Sequence, residues 1–116
     1  MSSEGVDRTY RVSSVIHREL ASILLEKISD PRIRPVTITE VVVSRDLKHA
    51  KIYATDTTTD GQLDTTVENL NRAKGYIRFL LSQQLQLKYI PTLNFFSDHV
   101  HERGNRVMNL IRETSS

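Results

Sequence analysis

Two strand-like stretches are separated by a long segment with helical periodicity, and that spacing constrains the fold more than any other feature of the chain. The earlier stretch, His49-Ala-Lys-Ile-Tyr-Ala-Thr55, alternates: Ala50, Ile52 and Ala54 form one small apolar face, and Lys51, Tyr53 and Thr55 lie opposite. The later stretch, Thr92-Leu-Asn-Phe-Phe-Ser-Asp98, places Leu93 and Phe95 on one side and Phe96 on the other. Between them Leu63, Val67, Leu70, Lys74, Ile77, Leu81 and Gln84 recur at steps of four and three, the period of one helix face. A helical crossover of this length favours parallel pairing of the strands it joins, with right-handed connection. Gly75 interrupts the run, and Gly in a helix interior costs about 1 kcal/mol relative to Ala. Arg72-Ala73-Lys74-Gly75 therefore reads as a corner between two helices. The second helix is expected to run to Leu87, and Tyr89-Ile90-Pro91 stops it.

Upstream, Val12, Val15, Ile16, Leu20, Ile23, Leu24 and Ile28 define an amphipathic first helix beginning at Arg8, with Asp7 as its N-cap. Asp30-Pro31 ends it. Residues 1–7 are small and polar and read as a flexible N-terminus. Val36-Thr-Ile-Thr-Glu-Val-Val-Val43 is dense in β-branched residues, but its apolar parity is irregular. Either both faces are covered or a bulge near Glu40 switches the facing. Ser44 to Lys48 is turn-like, so this segment and residues 49–55 form an antiparallel hairpin. The alanines on the inward face suit a helix packed close against the sheet. The order is α-β-β-α-(kink)-α-β, an α+β two-layer sandwich with a three-stranded mixed sheet and all helices on one face. The core domain covers residues 8–98. Residues 99–116, with Val100, Val107, Leu110 and Ile111 interrupted by Gly104 and Asn105, read either as a short C-terminal helix or as irregular chain.

Composition removes several function classes. The chain has 116 residues and no cysteine, which excludes disulfide scaffolds, thiolate zinc sites and thiol nucleophiles. No apolar run exceeds three residues, so no membrane span is expected. The first residues lack the apolar stretch of a signal peptide, and a cytoplasmic location is expected. His99-x-His101 has no cysteine or carboxylate at zinc spacing beyond Asp98 and Glu102, so no metal is expected. Ser44, Asp46 and His49 are triad residue types, but on a hairpin they splay to different faces. No Gly-rich loop opens a helix, and no carboxylate pair lies in an apolar setting that tunes acid–base work. An enzyme, a cofactor and a small-molecule substrate are therefore not expected. The net charge of +2 is unremarkable, yet residues 62–91 hold Arg72, Lys74, Arg78 and Lys88 against Asp64 and Glu68.

The element order is similar to the type II KH domain, in which a Gly-x-x-Gly loop between paired helices clamps a nucleic-acid backbone. Here the corner reads Ala73-Lys74-Gly75, and an Ala-x-Gly corner resembles the ribosome-binding factor A family. Other stretches are similar to the same family: Asp30-Pro31-Arg32, Val43-Ser44-Arg45-Asp46-Leu47, Ala50-Lys51-Ile52-Tyr53, Gly75-Tyr76-Ile77-Arg78-Phe79-Leu80-Leu81 and the run Tyr89 to Asp98. The resemblance spans residues 8–112. It implies a bacterial, non-catalytic ribosome assembly factor linked to growth in the cold. Such a factor binds free small (30S) subunits and 16S rRNA and promotes late maturation and 5′-end processing of 16S rRNA. The implied partner is 16S rRNA within the free small subunit, with the protein a monomer. Two departures are visible: Val100 stands where family members often carry Ser, and the sequence stops at Ser116 without a long charged tail, so a tail-dependent function is expected to be absent or truncated.

A KH-like corner makes Arg72, Lys74, Gly75 and Arg78 the first candidates for rRNA contact, since Arg and Lys dominate phosphate contacts. Ala73 and Gly75 are the kink residues, and Gly75 serves either close backbone approach or only the helix angle. Arg8 and Arg11, with Arg18, form a basic stripe readable equally as rRNA contact or solvated face. Arg45 and Lys48 in the hairpin turn complete the candidates. Asp30-Pro31-Arg32 reads as a helix stop, with Arg32 bonded to nearby carbonyls or to Asp46. Ser44 and Asp46 read as turn residues bonding local amides. Of Tyr53, Tyr76, Phe95 and Phe96, most are expected in the core, with Tyr53 the most exposed. The rival reading is a protein–protein interaction module of KH-like fold without direct RNA binding.

Overall fold

The alternation in residues 49–55 and the β-branched density before it produce a hairpin. The computed structural model describes residues 2–26, 36–56 and 61–99, with the backbone alone for 2–7. In it β1 is Thr37–Val43 and β2 is His49–Thr55, paired antiparallel. A third strand, β3 (Thr92–Ser97), pairs parallel with β2, aligning Ala50 with Leu93 and Ile52 with Phe95. Strand order is β1-β2-β3, so β2 is central and β1 and β3 are the edges. The helices are α1 (Ser2–Glu26), α2 (Leu63–Arg72) and α3 (Lys74–Gln84).

The irregular parity of β1 is resolved by a bulge. The register shifts between Ile38, opposite Ala54, and Glu40, opposite Tyr53. Thr39 is the extra residue, and after it Val41 and Val43 face the same side as Ile38. Thr39 donates its hydroxyl to Asp98 Oδ2 at 2.6 Å, tying the bulge across the sheet to the end of β3. Ile38, Val43, Ala50, Ile52, Ala54, Leu93 and Phe95 are buried on one face, while Thr37, Glu40, Val42, Lys51 and Phe96 are exposed on the other.

All three helices cover the buried face. Ile16, Leu20 and Ile23 of α1, Leu70 of α2, and Ile77 and Leu81 of α3 are fully buried and form one cluster with the inward strand residues. α1 lies on β1, α2 lies on β3, and α3 touches both α1 and β3. Ala50 and Ala54 are fully buried beneath this layer, so their small size sets how closely it approaches.

Element boundaries differ from the sequence reading at two places. α1 begins at Ser2, so Asp7 lies inside it instead of capping it. A Ser-Ser-Glu start is a competent helix opening, with negative charge near the positive end of the macrodipole. α3 stops at Gln84, not Leu87, because Leu85 turns extended at φ −108°, ψ 139°. Leu85 and Ile90 pack against the core and Pro91 is buried, so residues 85–91 must lead the chain back to β3. Ile28 and the Asp30-Pro31-Arg32 stop lie outside the described residues, as do residues 100–116.

Enlarging the inner face tests the close packing. Ala54→Leu should lower stability by about 1–3 kcal/mol through overpacking, read as a reduced midpoint in urea unfolding at unchanged slope.

Candidate nucleic-acid interface

The corner between α2 and α3 turns on a single residue. Ala73 adopts φ −93°, ψ 7°. Its N–H is shared between the Asn69 and Leu70 carbonyls at 3.1 Å each, and its carbonyl accepts from Ile77 N–H at 2.9 Å. One helix thus ends and the next begins on Ala73. Gly75 lies one residue inside α3, and the positive-φ glycine among the described residues is Gly61, not Gly75. A Cβ placed on Gly75 meets nothing within 4 Å. The break therefore belongs to Ala73, and among the described residues neither backbone conformation nor packing requires glycine at position 75.

Side chains on both sides of the corner fasten it to β3. The Asn71 carboxamide accepts from Phe95 N–H at 2.8 Å and donates to Phe95 C=O at 2.9 Å. This pair completes the outer edge of β3 as a neighbouring strand would. Lys74 Nζ donates to Asn94 Oδ1 at 3.0 Å. Arg78 Nε donates to the Ile90 and Pro91 carbonyls at 3.1 and 3.2 Å, and its Nη2 donates to Ile90 O at 2.6 Å. Arg78 thus holds the approach to β3 while its charge stays at the surface. Arg72 is exposed, with Nη1 at 3.4 Å from Asn69 Oδ1. Residues 69–97 contain Arg72, Lys74, Arg78 and Lys88 and no Asp or Glu.

Arg45 and Lys48 stand on a tightly bonded turn. Ser44 Oγ donates to Asp46 Oδ1 at 2.6 Å, Lys48 N–H donates to the same oxygen at 3.0 Å, and His49 N–H donates to Ser44 Oγ at 3.0 Å. Ser44 and Asp46 thus do what turn residues of their type are expected to do. The Ser44 hydroxyl, then the Lys48 amide, hold the Asp46 carboxyl below its ordinary value of 3.8. Leu47 sits in the left-handed region at φ 63°, a conformation costing about 1–2 kcal/mol for a non-glycine residue. It is maintained by this network and by packing of Leu47 against the core. Thr92 N–H donates to Lys48 O at 2.8 Å, which places the turn beside the start of β3, at the end of the sheet that Arg78 also grips.

The eight sequence candidates therefore fall into two groups. Arg72, Lys74, Gly75 and Arg78 gather along β3, with Arg45 and Lys48 at its N-terminal end. Arg8 and Arg11 are exposed on α1, the helix that lies on β1, the opposite edge. That helix is anchored by His17, whose Nε2 lies 2.9 Å from Ile38 O.

Residues 8–111 match the sequence profile of ribosome-binding factor A. The chain is 46% identical over 107 residues to the ribosome-binding factor A of Alkalilimnicola ehrlichii, covering 91% of this chain and 82% of that protein. The chain belongs to the ribosome-binding factor A family. Its fold is similar to the crystal structure of ribosome-binding factor A from Thermus thermophilus, at TM-score 0.69 and 20% identity over 79% of this chain and 97% of that one. It is also similar to a homology model of the Thermus thermophilus family member fitted into the cryo-EM map of its complex with the 30S subunit. That similarity has TM-score 0.60 and 21% identity over 72% and 88% of the two chains.

Within this family member the aromatics are distributed differently from the sequence reading. Phe95 alone of the four is buried. Tyr53 is half-buried because Phe96 stacks on it across the outer sheet face, ring centroids 5.5 Å apart and planes at 29°. Tyr76 is more exposed, at 56%, and Phe79 matches it. Sequence reasoning passed over Phe79 and Asn71: the first looks like core in an apolar run, and the second has no periodic signal. His99 Nε2 lies 2.8 Å from Asp64 Oδ1, linking the end of β3 to the first turn of α2. Hydrogen bonds from Ser97 and then His99 hold Asp64 below its ordinary value. His101 lies outside the described residues.

Two measurements test this geometry. Asn71→Ala leaves the Phe95 amide and carbonyl without these bonds and should cost about 1–3 kcal/mol, with loss of hydrogen-exchange protection at Phe95. Asp46 and Asp64 have lowered carboxyl values, so their contribution is fully present above 3.8 and is lost as pH falls through the folded-state values. Thermal stability should therefore drop on acidification below that value, and less steeply in Asp46→Asn.

Proposed function

We propose that this chain binds free small ribosomal subunits through phosphates of 16S rRNA at the α2–α3 corner. The observation that carries this reading is the carboxylate-free basic stretch, residues 69–97, folded around a corner fastened to β3 at three side chains. Arg72 and Lys74 supply charge, Arg78 supplies charge while positioning the strand, and Gly75 leaves room for the sugar–phosphate backbone to approach the peptide chain. Arg45 and Lys48 extend the contact from the far end of β3, and Arg8 and Arg11 offer a separate contact from α1. Family membership and the 30S complex of the Thermus thermophilus protein support the partner.

The mechanism is non-catalytic. A monomer in the cytoplasm stabilises one conformation of the immature rRNA through backbone contacts, promotes late maturation and 5′-end processing, and leaves once the subunit matures. Counterion release supplies much of the affinity, so binding weakens as salt rises, by about 0.7 in log–log slope per single-strand phosphate neutralised. The rival, a protein-binding module without RNA contact, has the exposed Tyr53–Phe96 sheet face as its observation.

The test is co-sedimentation with free small subunits across a salt series. Arg72→Glu/Lys74→Glu should reduce binding at least about 10-fold and flatten the salt slope; Arg78 is left intact because it holds the Ile90 and Pro91 carbonyls. Gly75→Ala should weaken binding while stability stays level or rises by about 0.4–1 kcal/mol. Binding unchanged in both variants would sink the assignment, and salt-insensitive dimerisation through Tyr53 and Phe96 would favour the rival.

A further inference from the structure

Two aromatic rings beside the corner have no structural role that the rest of the fold explains. Tyr76 and Phe79 are each 56% exposed. They stand three residues apart on α3, so their side chains are neighbours on one helix face. The opposite face of α3 is anchored by Ile77 and Leu81, both fully buried. The rings therefore project from a fixed support. Exposed apolar clusters of this kind mark contact surfaces.

We infer that Tyr76 and Phe79 form a stacking platform for unpaired bases of single-stranded RNA, adjoining the phosphate-contacting corner. This inference rests on the RNA-binding reading above. Charge chooses the occupant. Arg72 is exposed four residues before Tyr76 and no carboxylate occurs from residue 69 to residue 97, while Lys74, three residues before Ile77, is turned to Asn94 on the β3 side of α3. A nucleic-acid strand needs that imbalance, because its phosphates lie within one nucleotide of every base; an apolar protein surface does not. Shape agrees. The rings sit on a convex helix face, suited to bases splayed out of a single strand, and a duplex keeps its base faces stacked internally. Gly75, where an added Cβ meets nothing within 4 Å among the described residues, immediately precedes Tyr76. Phosphate approach at Gly75 therefore brings the attached base to the neighbouring ring. The Tyr53–Phe96 pair is a poorer platform: its rings stack on each other, and Glu40 lies in the same cross-strand row.

Stacking tolerates every base and is worth roughly 5- to 150-fold in affinity per ring by alanine substitution. The chain has no tryptophan and four tyrosines, so the part of a fluorescence change that Tyr76→Phe removes reports on the ring at position 76. The experiment measures the full chain binding a short single-stranded oligoadenylate and an RNA duplex of equal length. Tyr76→Ala/Phe79→Ala should lose at least about 10-fold for the single strand, with duplex affinity and thermal stability unchanged. Tyr76→Phe should keep single-strand affinity within about 2-fold and lose most of the tyrosine quench that the oligoadenylate causes in the parent chain, since a phenyl ring stacks equally well.

Four outcomes overturn the proposal. Undiminished single-strand binding by the double alanine variant means the rings do not stack bases. Equal loss for strand and duplex means the patch acts without selecting unpaired bases. Self-association of the parent chain that the same variant abolishes assigns the patch to a second copy. If Arg72→Glu/Lys74→Glu weakens both RNAs while the ring variants do nothing, the RNA-binding reading stands and the platform alone fails. If the parent chain binds neither RNA, the platform and direct contact with isolated RNA fail together.

Discussion

The carboxamide of Asn71 occupies the place of a missing fourth strand. β3 is an edge strand, and its Phe95 peptide group points away from β2, toward a side that no other strand of the described residues covers. Asn71 presents one acceptor and one donor at the spacing of a peptide group, so it satisfies both atoms of Phe95 at 2.8 and 2.9 Å. A half-buried edge peptide without partners is costly, and an unpaired edge invites pairing with other chains. The same two bonds fix where α2 ends relative to β3. The turn at Ala73, the start of α3 and the positions of Lys74 and Arg78 all follow from that point.

From the corner, order spreads along β3 in both directions. Lys74 reaches Asn94, and Arg78 reaches the carbonyls of residues 90 and 91, so α3 is aligned with the strand by hydrogen bonds as well as by apolar burial. At the N-terminal end of the strand, Thr92 bonds to Lys48. This joins the corner to a second rigid element, the Ser44–Asp46 turn with Leu47 in the left-handed region. The cationic side chains proposed for phosphate contact thus stand on backbone already immobilised, which lowers the ordering cost of binding. The charge is modest in total; its effect comes from segregation, since the chain's acidic residues lie outside this stretch.

The elements were legible wherever periodicity met burial. Ala50, Ile52 and Ala54 announced both the strand and its inward face, and Leu93 and Phe95 did the same for β3. The irregular parity of Val41, Val42 and Val43 left two readings, both faces covered or a bulge near Glu40, and the structure has the bulge, at Thr39. Legibility ended where a residue's role depends on a partner distant in sequence. Asn71 gives no local sign that Phe95, across the corner and along another element, needs it. Arg78 looked like a surface cation because nothing nearby in sequence says that the carbonyls of residues 90 and 91 lie within its reach. Tyr76 belongs to a set of aromatics expected mostly in the core, because an apolar run on a helix does not say which side the sheet occupies, and nothing local marks Phe79 at all.

Local chemistry alone therefore determined the element order, the crossover that makes β2 and β3 parallel and the two-layer arrangement. These follow from propensity, period and chain connectivity, which act over a few residues or through loop length. Tertiary structure decided that the corner turns at Ala73 and leaves Gly75 without an internal role. It also assigned Arg78 to the strand, divided the cations between β3 and α1, and turned two aromatic rings outward. Those outcomes depend on which groups meet after the chain has folded back on itself, and hydrogen bonds and exposure are properties of that meeting.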